Sequence, residues 1–184
     1  VRAFARSIAG LPEDEQRAKL IETGYVMPHW PKPYGREAGP IEQLVIEQEF
    51  GDAGVKRPQY GITAWNILTL VQYADQDQLD RWVMPALNQD TVWCQLFSEP
   101  DAGSDAAGIK TKATRVDGGW LVNGQKSFGC LSTTADYYLV TAKLEGVDGL
   151  DGLALFLVDR KAEGARPRQE WSGLGMRASD NGGC

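Results

Sequence analysis

The sequence predicts an α+β fold: an N-terminal all-α helical bundle over residues 1–90, followed by an antiparallel β-sandwich or barrel over residues 91–184. Three observations predict it. Apolar spacing is mostly helical from Leu11 to Asn88 and strand-like past Thr91. In the second half, short β-rich runs alternate with glycine turns. With 42% hydrophobic and 24% charged residues among 184, the chain has apolar material for one sizeable core or two smaller ones.

The first helix should run from Pro12 to Thr23. Proline opens it, Glu13, Asp14 and Glu15 meet the positive end of its dipole, and Gly24 stops it. Met27 to Pro40 holds Pro28, Pro31, Pro33 and Pro40 with Gly35 and Gly39, which removes backbone donors and predicts a long rigid loop. A second helix should span Ile41 to Phe50 and end at Gly51. Ile62, Trp65, Ile67, Leu68, Leu70 and Val71 surround the next helix on most sides, the pattern of a central buried one. Leu79, Trp82, Val83, Ala86 and Leu87 fall on one face of the last, with Pro85 predicting a kink or an end.

Beyond the boundary near Asp90, strands are expected at Val92–Phe97, Thr111–Val116, Trp120–Val122, Tyr137–Ala142 and Leu153–Val158. Asp117-Gly118-Gly119 and Asn123-Gly124 read as hairpin turns, because their residues tolerate positive φ at small steric cost. There is no alternation of strand and helix and no Gly-x-Gly-x-x-Gly, so a nucleotide cofactor would not be held in the Rossmann manner.

Charge and composition exclude several functions. The net charge of 19 − 25 = −6 repels phosphate, which argues against nucleic acid or an anionic membrane as partner. The best apolar run, Ile67 to Val71, is far shorter than the ~18 residues of a membrane span. Cys94, Cys130 and Cys184 are widely spaced and His29 is the sole histidine, so neither a zinc site nor a disulfide framework can be written. His29, between Pro28 and Trp30, reads as a structural or surface residue, and Cys130, remote from any histidine, as a buried inert thiol. The start Val-Arg-Ala-Phe-Ala-Arg has neither an initiator Met nor the apolar core of a secretory signal. The expectation is a cytoplasmic chain that is part of something longer.

The segment with chemical potential is Ser98-Glu99-Pro100-Asp101-Ala102-Gly103-Ser104-Asp105, directly after a buried-looking strand. Its hydroxyls, stiff proline and free glycine can aim N–H and O–H groups at a polar ligand edge or pyrophosphate, but a plain surface turn with Asx-type bonds explains the same string. Extended to Trp93–Thr111 and followed by Asp117-Gly-Gly-Trp-Leu-Val-Asn-Gly-Gln-Lys126, it resembles the signature of the acyl-CoA dehydrogenase family. Gly24–Gly35, Gln78–Leu87 and Gly173–Ser179 are similar to further family segments, so the resemblance covers nearly the whole chain.

The resemblance implies a helical domain and a middle β-domain, normally followed by a C-terminal four-helix domain that this chain lacks. It implies FAD, with Gln95, Leu96, Phe97, Ser98, Gly103, Ser104, Phe128, Gly129 and Cys130 at flavin-contacting positions and Ser104 also approaching the thioester substrate. The implied reaction is α,β-dehydrogenation of an acyl-CoA, with the β-hydrogen leaving as hydride to flavin N5. The base comes from the C-terminal domain, so no catalytic residue is assigned here. An electron-transfer acceptor protein and a homo- or hetero-oligomer are implied as partners. The chain departs from the family at residues 128–130. Phe128 stands where the family has Trp and lacks the indole donor, while Cys130 offers a weak S–H where a Thr hydroxyl would address N5. Such a lost hydrogen bond costs about 0.5–1.5 kcal/mol. Two other readings stay open: a non-catalytic half of a tandem or heteromeric dehydrogenase, and a same-fold acyl-CoA oxidase or flavin monooxygenase.

Overall fold

A computed structural model describes residues 1–169 and 171–184. It divides into two compact units: residues 1–61 with 67–90, and residues 62–66 with 91–184.

The first unit is helical. Its helices are α1 (Arg2–Ile8), α2 (Glu13–Glu22), α3 (Pro40–Asp52), the greater part of α4 (Ile62–Tyr73) and α5 (Gln76–Leu87). α2 carries its three acids in the first turn, as the dipole favours. Gly24 follows at φ +70°, where a Cβ would meet the Gly35 carbonyl 2.7 Å away, so both the turn and the close approach require glycine. The proline-rich stretch is indeed irregular. It closes on itself through Arg36 N–H and Ala38 N–H to the Pro28 carbonyl (3.1 and 2.8 Å) and buries Trp30. α5 starts with a capping box in which Gln78 N–H donates to Asp75 Oδ1 (2.9 Å) and Asp75 N–H to Gln78 Oε1 (3.2 Å). Val83, Ala86 and Leu87 form its buried face, and Pro85 lies two residues before its end. The expectation of a helix buried all round fails for α4. Thr63, Asn66, Ile67 and Leu70 are buried on one stripe, while Trp65 is 68% exposed. Apolar content predicted the stripe but not that the opposite face is uncovered. α1, which lacks caps in sequence, was not expected.

The second unit is built on a five-stranded sheet. β1 (Trp93–Leu96), β2 (Lys112–Val116), β3 (Gly119–Asn123), β5 (Tyr137–Leu144) and β6 (Leu153–Asp159) form it in the order β1-β5-β2-β3, with β6 on β5. A smaller sheet joins β4 (Gly129–Cys130), β8 (Asn181–Gly183) and β7 (Arg168–Gln169) in the order β4-β8-β7. The five long runs fall where strand periodicity placed them. Pairing is antiparallel for β2–β3 and β5–β6, as expected, but β5 runs parallel to both β1 and β2, so the main sheet is mixed. The physical reason is connection length: only the β2–β3 link is a tight hairpin, and the long excursions between β1, β2 and β5 permit parallel crossovers. β1 and the start of β2 share one edge of β5 end to end, Trp93–Leu96 facing Tyr137–Val140 and Lys112–Ala113 facing Lys143–Leu144.

Of the two hairpin signals, Asp117-Gly118 turns the chain between β2 and β3, with Gly118 at φ +78°. Asn123-Gly124 does not make a hairpin. Gly124 lies so close to Thr111 that a Cβ would collide with the Thr111 side chain, and the next strand, β4, pairs with distant β8. The core of this unit gathers Cys94, Leu96, Ala135, Tyr138 and Val140, with Tyr138 O–H donating to the Ser132 carbonyl at 2.6 Å. Among the described residues no helix is long and apolar enough to cross a membrane.

Candidate functional site

β1 alternates. Cys94 and Leu96 enter the core, which leaves Gln95 and Phe97 half-buried on the other face. Ser98 follows as the chain leaves the strand. Its carbonyl accepts from Ser127 N–H at 2.9 Å, while its own amide and hydroxyl bond to no other described residue. That bond is one of those that join the serine loop to the segment leading into residues 128–130. Gly129 strengthens the junction, because a Cβ there would run into Leu96 Cδ2 and stand 3.1 Å from Cys94 Sγ. Leu96 thus fills the space a larger residue at 129 would need, and its side chain belongs to the core.

Phe128 has φ +62°, a conformation that side chains adopt at a cost, and it projects outward. It is 55% exposed and meets Trp171 edge to face, with ring centroids 4.4 Å apart. Cys130 is exposed, which corrects the expectation of a buried thiol: with Gly129 turned inward, strand alternation turns Cys130 outward. Cys94 is the buried cysteine, and burial pushes its thiol up to about 12, so it is inert at neutral pH. Gly103 and Ser104 are exposed farther along the loop. They follow a tight reversal in which the Glu99 and Ala102 amides donate to each other's carbonyls (2.8 and 3.2 Å), and the Asp105 side chain caps the next turn through Gly108 N–H (3.1 Å). Gln95, Leu96, Phe97, Ser98, Phe128, Gly129 and Cys130 therefore come together, whereas no hydrogen bond among the described residues ties Gly103 or Ser104 to residues 128–130.

The residues that sequence reasoning missed lie underneath. Glu99 and Lys126 are buried, their side chains 5% and 3% exposed, and pair at 2.9 Å. The Lys126 ammonium also donates to the Phe97 carbonyl and Thr141 Oγ1, both at 3.0 Å. The Glu99 carboxylate accepts from Lys110 N–H (2.6 Å), Thr111 N–H (2.9 Å) and the Thr111 hydroxyl (2.5 Å). Burial alone would push Glu99 up, but the bonds from Thr111, Lys110 and Lys126 outweigh it and hold the carboxyl at about 2. Lys126 is shifted down by burial, with Glu99 opposing the shift. The main chain of Lys126 exchanges two bonds with Cys184, N–H to carbonyl at 2.7 and 3.1 Å, which lays this segment beside the end of β8. Asp180, also unanticipated, accepts from Thr133 N–H, Thr134 N–H and the Thr134 hydroxyl (2.9, 3.1 and 3.1 Å). Burial raises its carboxyl and these bonds more than reverse that. No local pattern in the sequence marked the Glu99–Lys126 pair, because Glu99 lies between Ser98 and Pro100 and Lys126 between Gln125 and Ser127.

The chain's second unit is a mixed β-unit whose first strand ends in an open, half-buried serine turn, and comparisons with known proteins specify its family. Residues 94–183 match the model of the acyl-CoA dehydrogenase middle domain. Acyl-CoA dehydrogenase FadE34 of Mycobacterium tuberculosis is 40% identical over 94% of this chain, which spans 25% of that protein. The mitochondrial 2-methylacyl-CoA dehydrogenase of Solanum tuberosum is 30% identical over 74% of this chain and 34% of its own length. Among solved structures, a variant of the steroid ACAD Tcur3481-Tcur3483 superimposes with a TM-score of 0.64 at 28% identity, covering 89% of this chain and 48% of that one. A glutaryl-CoA dehydrogenase from Mycobacterium smegmatis in complex with FADH2 gives a TM-score of 0.67 at 20% identity over 99% of this chain and 50% of its own, a likeness of fold. The chain belongs to the acyl-CoA dehydrogenase family. It spans about a quarter to a third of the curated relatives named here and about half of the solved ones.

Proposed function

We propose that this chain is the helical and middle-domain portion of an FAD-dependent acyl-CoA dehydrogenase that desaturates an acyl-CoA thioester between its α and β carbons. The observation that carries the reading is the convergence at Ser98. An unengaged amide and hydroxyl lie beside the stretch that exposes Phe128 and Cys130, with aromatic surface from Phe128 and Trp171 at hand. These residues fit a flat, polar-edged heteroaromatic group. When bound, FAD supplies the hydride acceptor that no amino-acid side chain provides.

This chain's own residues bind and orient. The Ser98 amide and hydroxyl donate to the polar edge of the ring system, and Phe97, Phe128 and Trp171 supply apolar contact and exclude water. Ser104, exposed at the mouth of the loop, addresses the thioester. Cys130 presents only a weak donor on the same side, so at this position the backbone serves instead of the side chain. Abstraction of the α-proton needs a carboxylate whose pKa is raised. Glu99 is the acid nearest in sequence to Ser98, and it is the opposite: ion-paired, four times hydrogen-bonded and held at about 2. Asp101 is exposed and paired with Lys110 at 2.8 Å. The base is therefore assigned outside these residues. An electron-transfer acceptor protein and assembly with further subunits complete the proposal.

The test is turnover of a panel of acyl-CoAs by the full-length protein, first with an artificial electron acceptor and then with oxygen alone. Acceptor-dependent enoyl-CoA formation that falls at least tenfold in Ser98→Ala is the expected result. Equal activity in wild type and Ser98→Ala would remove Ser98 from the site, and oxygen-driven turnover would favour an oxidase. The departures at Phe128, Gly129 and Cys130 support the second reading, a non-catalytic half of a heteromeric dehydrogenase, for which no turnover is expected with any acyl-CoA.

A further inference from the structure

Three consecutive residues at the end of β1 are fixed from beneath in three different ways. The Phe97 carbonyl accepts from both Lys126 Nζ (3.0 Å) and Thr141 Oγ1 (3.2 Å), the Ser98 carbonyl accepts from Ser127 N–H (2.9 Å), and the Glu99 carboxylate takes four donors. Among the described residues the Ser98 amide and hydroxyl are left over from these contacts. All three ammonium hydrogens of Lys126 have acceptors on different parts of the unit: the end of β1, the loop after it and β5. Burying such a pair is costly, and an apolar pair of similar volume would stabilise a fold as well or better. Stability alone gives no reason for an ion pair here, whereas geometry does. A cation with three tetrahedrally spread donors defines the position of the Phe97 carbonyl, and through the rigid peptide plane that of the Ser98 N–H.

We propose that Glu99 and Lys126 are positioning residues for the flavin site, setting the direction of the Ser98 amide and hydroxyl without touching the ligand. The inference rests on the reading of the Ser98 turn as a flavin site. The requirement is strict because hydrogen-bond strength falls steeply with misalignment, and a site loose by about an ångström loses its benefit.

The experiment compares the full-length protein with its Lys126→Met, Glu99→Gln and double Glu99→Gln/Lys126→Met variants. It measures FAD affinity by fluorescence, the visible band and reduction potential of bound flavin at saturation, and thermal stability. Each single variant should bind FAD at least tenfold more weakly and shift the band and potential. The double variant should regain much of the stability, since no lone charge stays buried, but not the affinity, band or potential. If the double variant recovers flavin properties along with stability, or if folded single variants bind FAD as wild type does with an unchanged band, the pair is merely structural and the proposal is wrong. Where a single variant fails to fold, Thr141→Val removes one acceptor of Lys126 and leaves the pair in place. It should weaken FAD binding about threefold, and no change there overturns the inference. A wild-type protein that takes up no FAD overturns the reading of the site and this inference with it.

Discussion

Glu99 illustrates how a residue's surroundings override its type. A carboxylate after a buried strand would ordinarily be solvated, yet Lys126, Thr111 and Lys110 surround this one and hold it at about 2. The sign of its effect on stability follows. A carboxyl whose folded pKa lies below its unfolded value stabilises fully above the ordinary carboxylate range, and that contribution is lost as pH falls from about 4.5 toward about 2. Urea unfolding followed between pH 6 and pH 2.5 should show this acid loss in wild type and a flatter profile in Glu99→Gln; superimposable profiles would show that Glu99 is not ion-paired. The serine turn itself was legible in the sequence, because glycine, proline and hydroxyls cluster there after an apolar run. The pair beneath it was not: residues 27 positions apart meet only because β1 and the approach to β4 fold side by side, which no local pattern encodes. Cys130 was misread for a related reason, since a two-residue strand is too short to show alternation.

At the scale of elements, periodicity located the long strands and α5, whose Val83, Ala86 and Leu87 line one buried face, whereas proline, acidic residues and glycine marked α2. The parallel pairing of β5 with β1 and β2 was hidden, as period-2 alternation reads the same in either direction. The short sheet β4-β8-β7 was hidden too, for it rests on glycines rather than on apolar side chains. Gly182 at its centre lies so close to the Arg168 carbonyl that a Cβ would collide with it, and 2.7 Å from Ser132 Oγ by the same construction. Gly182→Ala should therefore cost roughly 1–3 kcal/mol through overpacking. Hydrogen exchange should show faster opening at Lys126, Leu131 and Cys184, whose amides tie this region together; unchanged protection there would mean that β7 and β8 separate freely.

At the scale of the whole chain, the molecule forms two compact units, the second of which takes residues 62–66 together with 91–184, and residues 94–183 match the acyl-CoA dehydrogenase middle-domain family. What spacing could not reveal is which apolar surfaces stay uncovered. Ile41, Leu44 and Val45 share one face of α3 and are 75%, 67% and 46% exposed, an apolar strip of the kind that marks an interaction surface. On the proposed function, the Ser98 turn and the Phe128–Cys130 stretch together hold a flavin. The visible absorption spectrum of the full-length protein after gel filtration tests it most directly. A flavin band at close to one FAD per chain, lost or strongly reduced in Ser98→Pro while the fold persists, is the predicted result; a colourless, well-folded protein that stays colourless when incubated with FAD would contradict it.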